Sequence, residues 1–318
     1  MDRRQHGSTR RVHRVACLAG DGPGPELMAE ASRALRKVAR MHGFAVDDVH
    51  APIGSEALTR SGHPFPPATR SAVLDAEAVL VADAAEPALD GVAAQLDLRG
   101  RIAHVLCRRS DFVLLSPLDA DAESWTVKRA FGFARRRRGR LISVDHDGHW
   151  ASVVDEEGTR HDTVAVEHLS LADTVRALTF DPGRLDVVVT AGVVAAAFEE
   201  LAAGDAGDDR LVAVAQLAEN GPSVFAPAQP ESADDAGHGV ADPSSMLLAA
   251  SLLLREGLGE EHAADTLSAA LGNARRRTGV RRTLAATTRD FGDAVVSLLP
   301  ASHRNAEFVP EYIPETAA

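Results

Sequence analysis

The stretch that decides the fold, residues 19–28, reads A-G-D-G-P-G-P-E-L-M. It follows the apolar run V-A-C-L at residues 15–18 and opens a helical pattern over residues 25–38. A glycine-rich turn between strand and helix lets backbone amides approach a ligand. The glycines lack the G-x-G-x-x-G spacing of a dinucleotide-binding turn, so a plain strand-to-helix turn remains the alternative.

Five motifs, taken in chain order, resemble one enzyme family. G-D-G-P-G-P-E is similar to the G-D-G-I-G-P-E signature of the β-decarboxylating dehydrogenases, the isopropylmalate and isocitrate dehydrogenase family. The others are S-G-H-P-F-P at 61–66, R-L-D-V-V-V-T at 184–190, G-H-G-V-A-D-P at 237–243 and T-T-R-D-F-G-D-A-V at 287–295. The resemblance spans residues 11–300.

The resemblance implies an α/β, isopropylmalate-dehydrogenase-like two-domain fold. A doubly wound sheet domain is expected to hold both chain ends, residues 11–107 and 208–318. Residues 108–207 are expected to form an inserted domain for dimerisation and substrate binding. Residues 1–10 are expected to be a disordered tail.

The family's catalytic lysine is missing from the matching segment. The family reads S-V-D-K-A-N where residues 143–148 read S-V-D-H-D-G, which puts His146 at the lysine position. The chain has two lysines, Lys37 and Lys128, both in predicted helices. Neither is expected to replace the catalytic lysine.

The family's three aspartate ligands for Mg²⁺ or Mn²⁺ are also reduced. Asp173 matches one of them only if the register slips by one residue, Ala196 replaces the second, and Glu200 stands at the third. Mg²⁺ demands near-ideal geometry from oxygen ligands. We therefore expect no tight metal binding, with Asp173 and Glu200 as residual ligands.

The segments that hold NAD in the family differ as well. The adenosine loop H-G-S-A-P-D reads Q-P-E-S-A-D at residues 229–234, and the glycine turn beside the nicotinamide reads A-A-E-P-A-L-D at residues 84–90. Asp234 and Asp242 are residual candidates for cofactor contacts. NAD and Mg²⁺ are the family's cofactors, and we expect neither to bind well.

Arginines remain near two of the positions that clamp substrate carboxylates in the family. Guanidinium groups match carboxylates with paired hydrogen bonds. Arg99 and Arg108 fall near these positions, with Arg101 and Arg109 as rivals, and solvated surface charge remains the alternative. With His146 and Asp173 they are the candidate catalytic residues, and they suggest a small acidic molecule as ligand.

Composition excludes several functional classes. The net charge of −12 argues against general nucleic-acid binding, and no run of 18 apolar residues predicts a membrane span. The basic start of the chain lacks the apolar centre of a signal peptide, so a cytoplasmic location is expected. Two cysteines in apolar runs predict reduced thiols. The arginines at 135–138 are predicted to be a solvated helix end.

Residues 149–168 alternate in polarity and are predicted to form a β-hairpin with a turn at residues 155–158. Its edges and Trp150 suggest a dimer, with a second copy or with an intact relative. Four histidines lie in or just before this segment (His146, His149, His161 and His168), but their spacing fits no standard metal motif.

Three functions remain open. The leading hypothesis is a degenerate relative that binds a small acid or performs non-redox chemistry in a specialised pathway. The second is a non-catalytic regulatory partner of an intact relative. The third is an NAD-dependent 2-hydroxy-acid dehydrogenase in which His146 replaces the lysine.

Overall fold

The glycine turn folds as its sequence predicts. Strand β1 (Val12–Gly20) leads into helix α1 (Gly24–Met41). Gly20 and Gly22 adopt left-handed φ angles of 71° and 55°, which favour glycine. A Cβ atom on Gly24 would lie 2.0 Å from the carbonyl oxygen of Ala19, so only glycine fits there.

The computed structural model describes residues 11–83, 86–107, 110–145, 148–203, 210–228, 235–278 and 287–300. The remaining strands in these ranges are β2 (Ala45–His50), β3 (Ala78–Asp83), β4 (Leu98–Leu106), β5 (Asp111–Pro117), β6 (Arg140–Val144), β7 (Ala165–Leu169), β8 (Val187–Val189), β9 (Leu211–Ala218) and β10 (Ser223–Pro227). The remaining helices are α2 (Gly54–Ser61), α3 (Pro67–Leu74), α4 (Glu86–Ala93), α5 (Glu123–Arg136), α6 (His149–Gly158), α7 (Leu171–Phe180), α8 (Gly192–Ala203), α9 (Ser244–Leu252), α10 (Glu261–Thr278) and α11 (Thr288–Leu298).

All described strands belong to one mixed sheet in the order β2-β1-β3-β10-β9-β4-β5-β8-β6-β7. Strands β5, β8, β6 and β7 form a parallel set. Strand β5 pairs antiparallel with β4, and this pair joins the parallel set to the rest of the sheet. This order groups β1 to β4 with β9 and β10 on one side of that junction. The division into domains at residues 107 and 208 stays a prediction.

Helices cover both faces of the parallel half of the sheet. Val187 and Val189 of β8 belong to the apolar core that contains Phe131 of α5 and Trp150 of α6. Val188, between them, packs in a second core with Phe198 of α8. Alternate residues of a strand point to opposite faces, so this short strand is buried on both sides.

The predicted hairpin over residues 149–168 is wrong. Residues His149–Gly158 form helix α6, and only Ala165–Leu169 form a strand, which pairs in parallel with β6. Trp150, Val154 and Glu157 are the buried residues of α6, with spacings of four and three that suit a helix. Trp150 is 4% exposed and lies in the core, so it is not available for a subunit interface.

The arginines at 135–138 are not simply a solvated helix end. Helix α5 ends at Arg136, as the pattern predicts, but the guanidinium groups of Arg137 and Arg138 both pair with one buried carboxylate. The Arg137 Nε donates to Asp186 Oδ1 at 2.9 Å, and Arg138 pairs with the same carboxylate at 3.3 Å. Asp186 is fully buried, so these guanidinium groups compensate a core charge.

Two further observations concern the cysteines and the membrane. Cys17 and Cys107 are free thiols, as predicted. Within the ranges described above, no helix is both long enough and apolar enough to cross a membrane.

Candidate functional site

A pocket lies where the chain leaves the sheet in opposite directions. The connections after β5 and β6 lead to α5 and α6 on one face, whereas the connection after β8 leads to α8 on the other. Because β8 lies between β5 and β6, a crevice opens at their carboxyl ends. Ligands of open α/β sheets bind at such switch points.

This crevice pocket encloses about 400 Å³. Its wall combines apolar side chains with a few polar ones, which is typical of small-molecule sites. The lining residues are Pro117, Leu118, Asp119, Ala120, Glu123, Val144, Asp145, His149, Trp150, Thr190, Ala191, Gly192 and Val193.

Hydrogen bonds fix the floor of the crevice pocket. The indole Nε1 of Trp150 donates to the carbonyl oxygen of Val189 at 3.2 Å. The hydroxyl of Thr190 donates to the carbonyl oxygen of Val144 at 2.8 Å, which joins the ends of β8 and β6. The first turn of α6 and the ends of two strands are therefore held together without a ligand.

The polar side of the crevice pocket is acidic. The Asp145 carboxylate accepts a hydrogen bond from the amide of Ala151 at 2.6 Å, which caps the start of α6. Glu123, at the start of α5, lies 3.1 Å from the Nε2 of His149. With Asp119, three carboxylates line the pocket, and no lysine or arginine is among its described lining residues.

Several predicted site residues cannot be placed in this pocket. His146, Arg108 and its rival Arg109 lie outside the described residues, as does Asp234. His146 follows Asp145, a lining residue, in the chain. Its predicted role stays a prediction.

Arg99 lies at the start of β4 and faces carboxylates of the protein itself. Its guanidinium group is 3.1 Å from Asp97, 3.0 Å from Asp121 and 3.4 Å from Glu219. Asp97 first, and then Asp121 and Glu219, raise the pKa of Arg99 against the opposing effect of burial. Its charge is already shared among three partners, which weakens the case for a substrate clamp.

The rival Arg101 is also engaged. Its guanidinium group forms a two-pronged ion pair with Glu199 of α8, with Nη2 to Oε1 at 2.6 Å and Nε to Oε2 at 2.9 Å. This pair ties β4 to α8. We interpret Arg101 as a structural residue.

The described residues do not fit the family's divalent metal. The Asp173 carboxylate accepts from the hydroxyl of Ser170 at 2.7 Å and pairs with Arg176 at 3.0 Å, so it belongs to the start of α7. Glu200 is exposed on α8, near Ala196. Neither belongs to a group of three metal-ligating side chains within the described ranges. Hard cations need such a group of oxygen ligands.

Neither lysine lines the crevice pocket. Lys37 lies in α1, in the other half of the sheet, and Lys128 is exposed in the middle of α5. That neither replaces the family's lysine stays a prediction.

Two backbone amides at the glycine turn already have partners within the protein. The amides of Asp21 and Gly24 are used within the protein, on the carbonyl oxygens of Asp83 and Asp21 at 3.1 and 2.9 Å. Burial, and then Asp21, raises the pKa of the Asp83 carboxyl beside this turn. Asp242, the predicted cofactor contact, accepts from the amide of Ser244 at 2.9 Å and caps α9.

The histidines predicted to surround a hairpin have separate partners. His161 stacks on Phe131 with ring centroids 4.7 Å apart, and His168 pairs with Asp155 at 2.9 Å. His149 pairs with Glu123 instead. The three described histidines, His149, His161 and His168, therefore form no joint metal site.

Sequence reasoning missed Asp119, Glu123 and Thr190 as pocket residues. Their signal was positional, because each closely follows the end of a strand that precedes a crossover helix. The carboxyl ends of adjacent parallel strands meet at one edge. The strand order, which brings β8 between β5 and β6, was needed to see that these three meet.

Curated relatives match most of the chain at moderate identity. The 3-isopropylmalate dehydrogenase of Synechococcus sp. (strain CC9605) is 29% identical over 320 residues, covering 81% of this chain and 90% of the relative. That of Streptococcus thermophilus (strain CNRZ 1066) is 27% identical over 342 residues, covering 90% and 99%.

Solved structures share the fold. A β-decarboxylating dehydrogenase from Thermococcus kodakarensis, in its apo form, superposes with a TM-score of 0.76 at 19% identity, covering 90% of this chain and 96% of that one. An isocitrate dehydrogenase from Methylococcus capsulatus gives 0.73 at 19% identity, covering 90% and 99%.

The family model named isocitrate/isopropylmalate dehydrogenase matches residues 14–103 and 111–295, most of the chain. The isopropylmalate-dehydrogenase-like fold expected from the motifs is therefore confirmed. On this match, the chain belongs to the isocitrate/isopropylmalate dehydrogenase family.

Proposed function

We propose that this chain binds a small molecule in the crevice pocket and does not perform the lysine- and metal-assisted oxidative decarboxylation of its family. The observation that carries the proposal is the set of ionisable side chains that line the pocket. It contains carboxylates and one histidine, while both lysines lie elsewhere and the residual metal ligands are engaged or dispersed. The enolate formed on decarboxylation needs a nearby positive charge, and no lysine, arginine or group of metal ligands is among the described lining residues to provide it.

The charge of the lining favours a particular class of ligand. Glu123 and Asp145 each use part of their accepting capacity on protein groups, and a carboxylate offers about four lone-pair sites. We propose a ligand that presents an ammonium group or several hydrogen-bond donors to these two side chains. The small acid that the resemblance implies would depend on Arg108 or His146, because Arg99 is neutralised by its own neighbours.

Thermal-shift measurements on the full chain test this proposal. The panel contains primary amines, amino acids, di- and tricarboxylates, NAD, NADP and Mg²⁺. A ligand at 100 times its Kd adds roughly 2.7 kcal/mol to stability. We expect an amine-bearing compound to raise the Tm, and Glu123→Gln to remove the shift.

Glu156→Gln is the matched control, because Glu156 is exposed on α6 and does not line the pocket. It should leave the ligand-induced shift unchanged. Stabilisation by di- or tricarboxylates alone, unaffected by Glu123→Gln, would reject the proposed ligand class and favour the small acid.

The second candidate is a working NAD-dependent dehydrogenase that uses His146 in place of lysine. The names of the relatives at 27–29% identity, all of them 3-isopropylmalate dehydrogenases, favour it. Formation of reduced cofactor separates this candidate from the first.

The third candidate is a partner role, as a homodimer or with an intact relative. It is supported by exposed apolar side chains in the parallel half of the sheet. Val193 is 79% exposed at the start of α8, Leu201 lies on the same helix, and Phe180 is 81% exposed at the end of α7. Large apolar side chains exposed on these two helices would be covered by contact with another subunit.

A further inference from the structure

A second group of reactive side chains lies in the other half of the sheet. Cys17 of β1 is directly opposite His50 of β2 in the parallel register, and Asp48 lies two residues before His50 on the same face. The Cys17 Sγ, a carboxylate oxygen of Asp48 and a ring nitrogen of His50 all lie within 4.8 Å of one another. This Cys17–Asp48–His50 cluster shares no residue with the crevice pocket.

The three donors are those that zinc and similar transition metals accept. Zn²⁺ binds thiolate sulfur, imidazole nitrogen and carboxylate oxygen. The Asp48 Oδ2 and the His50 Nε2 are 3.1 Å apart. Two such ligands on a tetrahedral zinc ion would be about 3.3 Å apart, so these atoms need little movement.

The burial gradient across the cluster suits a metal that enters from solvent. Cys17 is fully buried, the Asp48 side chain is 9% exposed, and the His50 side chain is 48% exposed. The buried hydroxyl of Ser32, on α1, contacts the thiol and has no other hydrogen-bond partner among the described groups. A polar group therefore accompanies the sulfur inside an otherwise apolar core.

A cation of the protein already occupies part of the cluster. The Arg36 Nε donates to Asp48 Oδ1 at 2.9 Å, and its Nη2 contacts Oδ2. The Arg36 side chain is 48% exposed, so its Nη2 can leave Oδ2 while Nε keeps Oδ1. In that arrangement Arg36 would orient the metal-binding carboxylate from the outer shell.

We propose that Cys17, Asp48 and His50 form a binding site for a thiophilic divalent transition metal such as Zn²⁺, with a fourth position open to water. Binding would join the edge strand β2 to β1. The proposal is independent of the function assigned to the crevice pocket.

The test uses Co²⁺ alone as the probe, added to the metal-free full chain. Cobalt bound to a thiolate gives a sulfur-to-metal charge-transfer band in the near ultraviolet. We expect one Co²⁺ per chain to produce this band, and Zn²⁺ to abolish it by displacement. His50→Ala, at an exposed position, should weaken binding by at least about tenfold, and Cys17→Ser should remove the band.

Cys107→Ser is the matched control, because Cys107 is the other free thiol and lies outside the cluster. It should keep the band. A circular-dichroism spectrum shows that each variant is folded, and His50→Ala preserves the test if Cys17→Ser unfolds. Absence of the band at millimolar Co²⁺, persistence of full-strength binding in His50→Ala, or loss of the band in Cys107→Ser would overturn the proposal.

Discussion

The indole of Trp150 donates a hydrogen bond to the carbonyl oxygen of Val189, with 3.2 Å between the two atoms. This contact fixes the first turn of α6 to the carboxyl end of β8 and gives the crevice pocket a rigid aromatic wall. A preformed wall costs no ordering when a ligand binds. The stability of the pocket and the stability of the core therefore depend on the same side chain.

Replacing Trp150 by alanine should lower the free energy of unfolding by about 3–5 kcal/mol, because a large buried side chain leaves a cavity. Trp125→Ala is the comparison, since Trp125 is only half-buried on α5. Urea unfolding followed by circular dichroism measures both. A cost for Trp150→Ala no larger than that for Trp125→Ala would contradict the packing described here.

Asp186 is the buried anion that organises the turn after α5. It accepts from the side chain of Arg137 and from the backbone amide of Arg138 at 3.0 Å. Asp186→Asn should cost about 3–5 kcal/mol, as removal of one member of a buried ion pair does. Asp155→Asn, which breaks the more exposed pair with His168, should cost less than about 1 kcal/mol. An equal loss of unfolding free energy in the two variants would show that the buried Asp186 contributes no more to stability than the exposed pair does.

Acid stability should depend on Asp111. Burial opposes its ionisation, but His104 and Arg137, both 2.9 Å away, outweigh burial and hold the pKa of Asp111 well below its ordinary range. A lowered folded-state pKa stabilises the protein above the unfolded value of about 3.9, and this stabilisation is lost as the pH falls further. Asp111→Asn should therefore flatten the fall in unfolding free energy between neutral and acid pH. If the unfolding free energy of Asp111→Asn varied with pH as it does in the unmodified chain, Asp111 would not be a source of the acid sensitivity.

The exposed apolar side chains predict assembly through α7 and α8. We expect a dimer with more than about 1,000 Å² of total buried area, and Phe180→Ser with Val193→Ser should dissociate it. Leu58→Ser, at a position on α2 that is 52% exposed and lies in the other half of the sheet, is the control and should leave the mass of the assembly unchanged. Light scattering on a size-exclusion column measures both. A monomer at micromolar concentration that binds no intact relative would contradict the expectation.

Local sequence predicted some elements well because backbone chemistry left few choices. Left-handed φ angles at Gly20 and Gly22, and the absence of room for a side chain at Gly24, require the residues that the motif supplies. The residues of α6 had two interpretations instead. Trp150, Ser152 and Val154 alternate as in a strand, yet Trp150 and Val154 also repeat at helical spacing, and burial against Phe131 favoured the helix.

Features that depend on distant partners could not be predicted. The arginine run at the end of α5 has the local pattern of a solvated helix end, but its partners are distant in sequence: Asp111 begins β5 and Asp186 immediately precedes β8. In the same way, the acidic lining of the crevice pocket joins Glu123 and Asp145 from different crossovers. Their meeting follows from strand order, which local periodicity does not encode.

The most direct test of the central claim is a stopped-flow assay for reduced cofactor, with the full chain, NAD⁺ or NADP⁺, Mg²⁺ or Mn²⁺, and isopropylmalate or isocitrate. The described lining of the crevice pocket contains neither a lysine nor a group of three metal-ligating side chains. We therefore expect no formation of NADH or NADPH. Turnover in the common enzyme range of about 1–10³ s⁻¹, abolished by His146→Ala, would contradict the account and establish a working dehydrogenase.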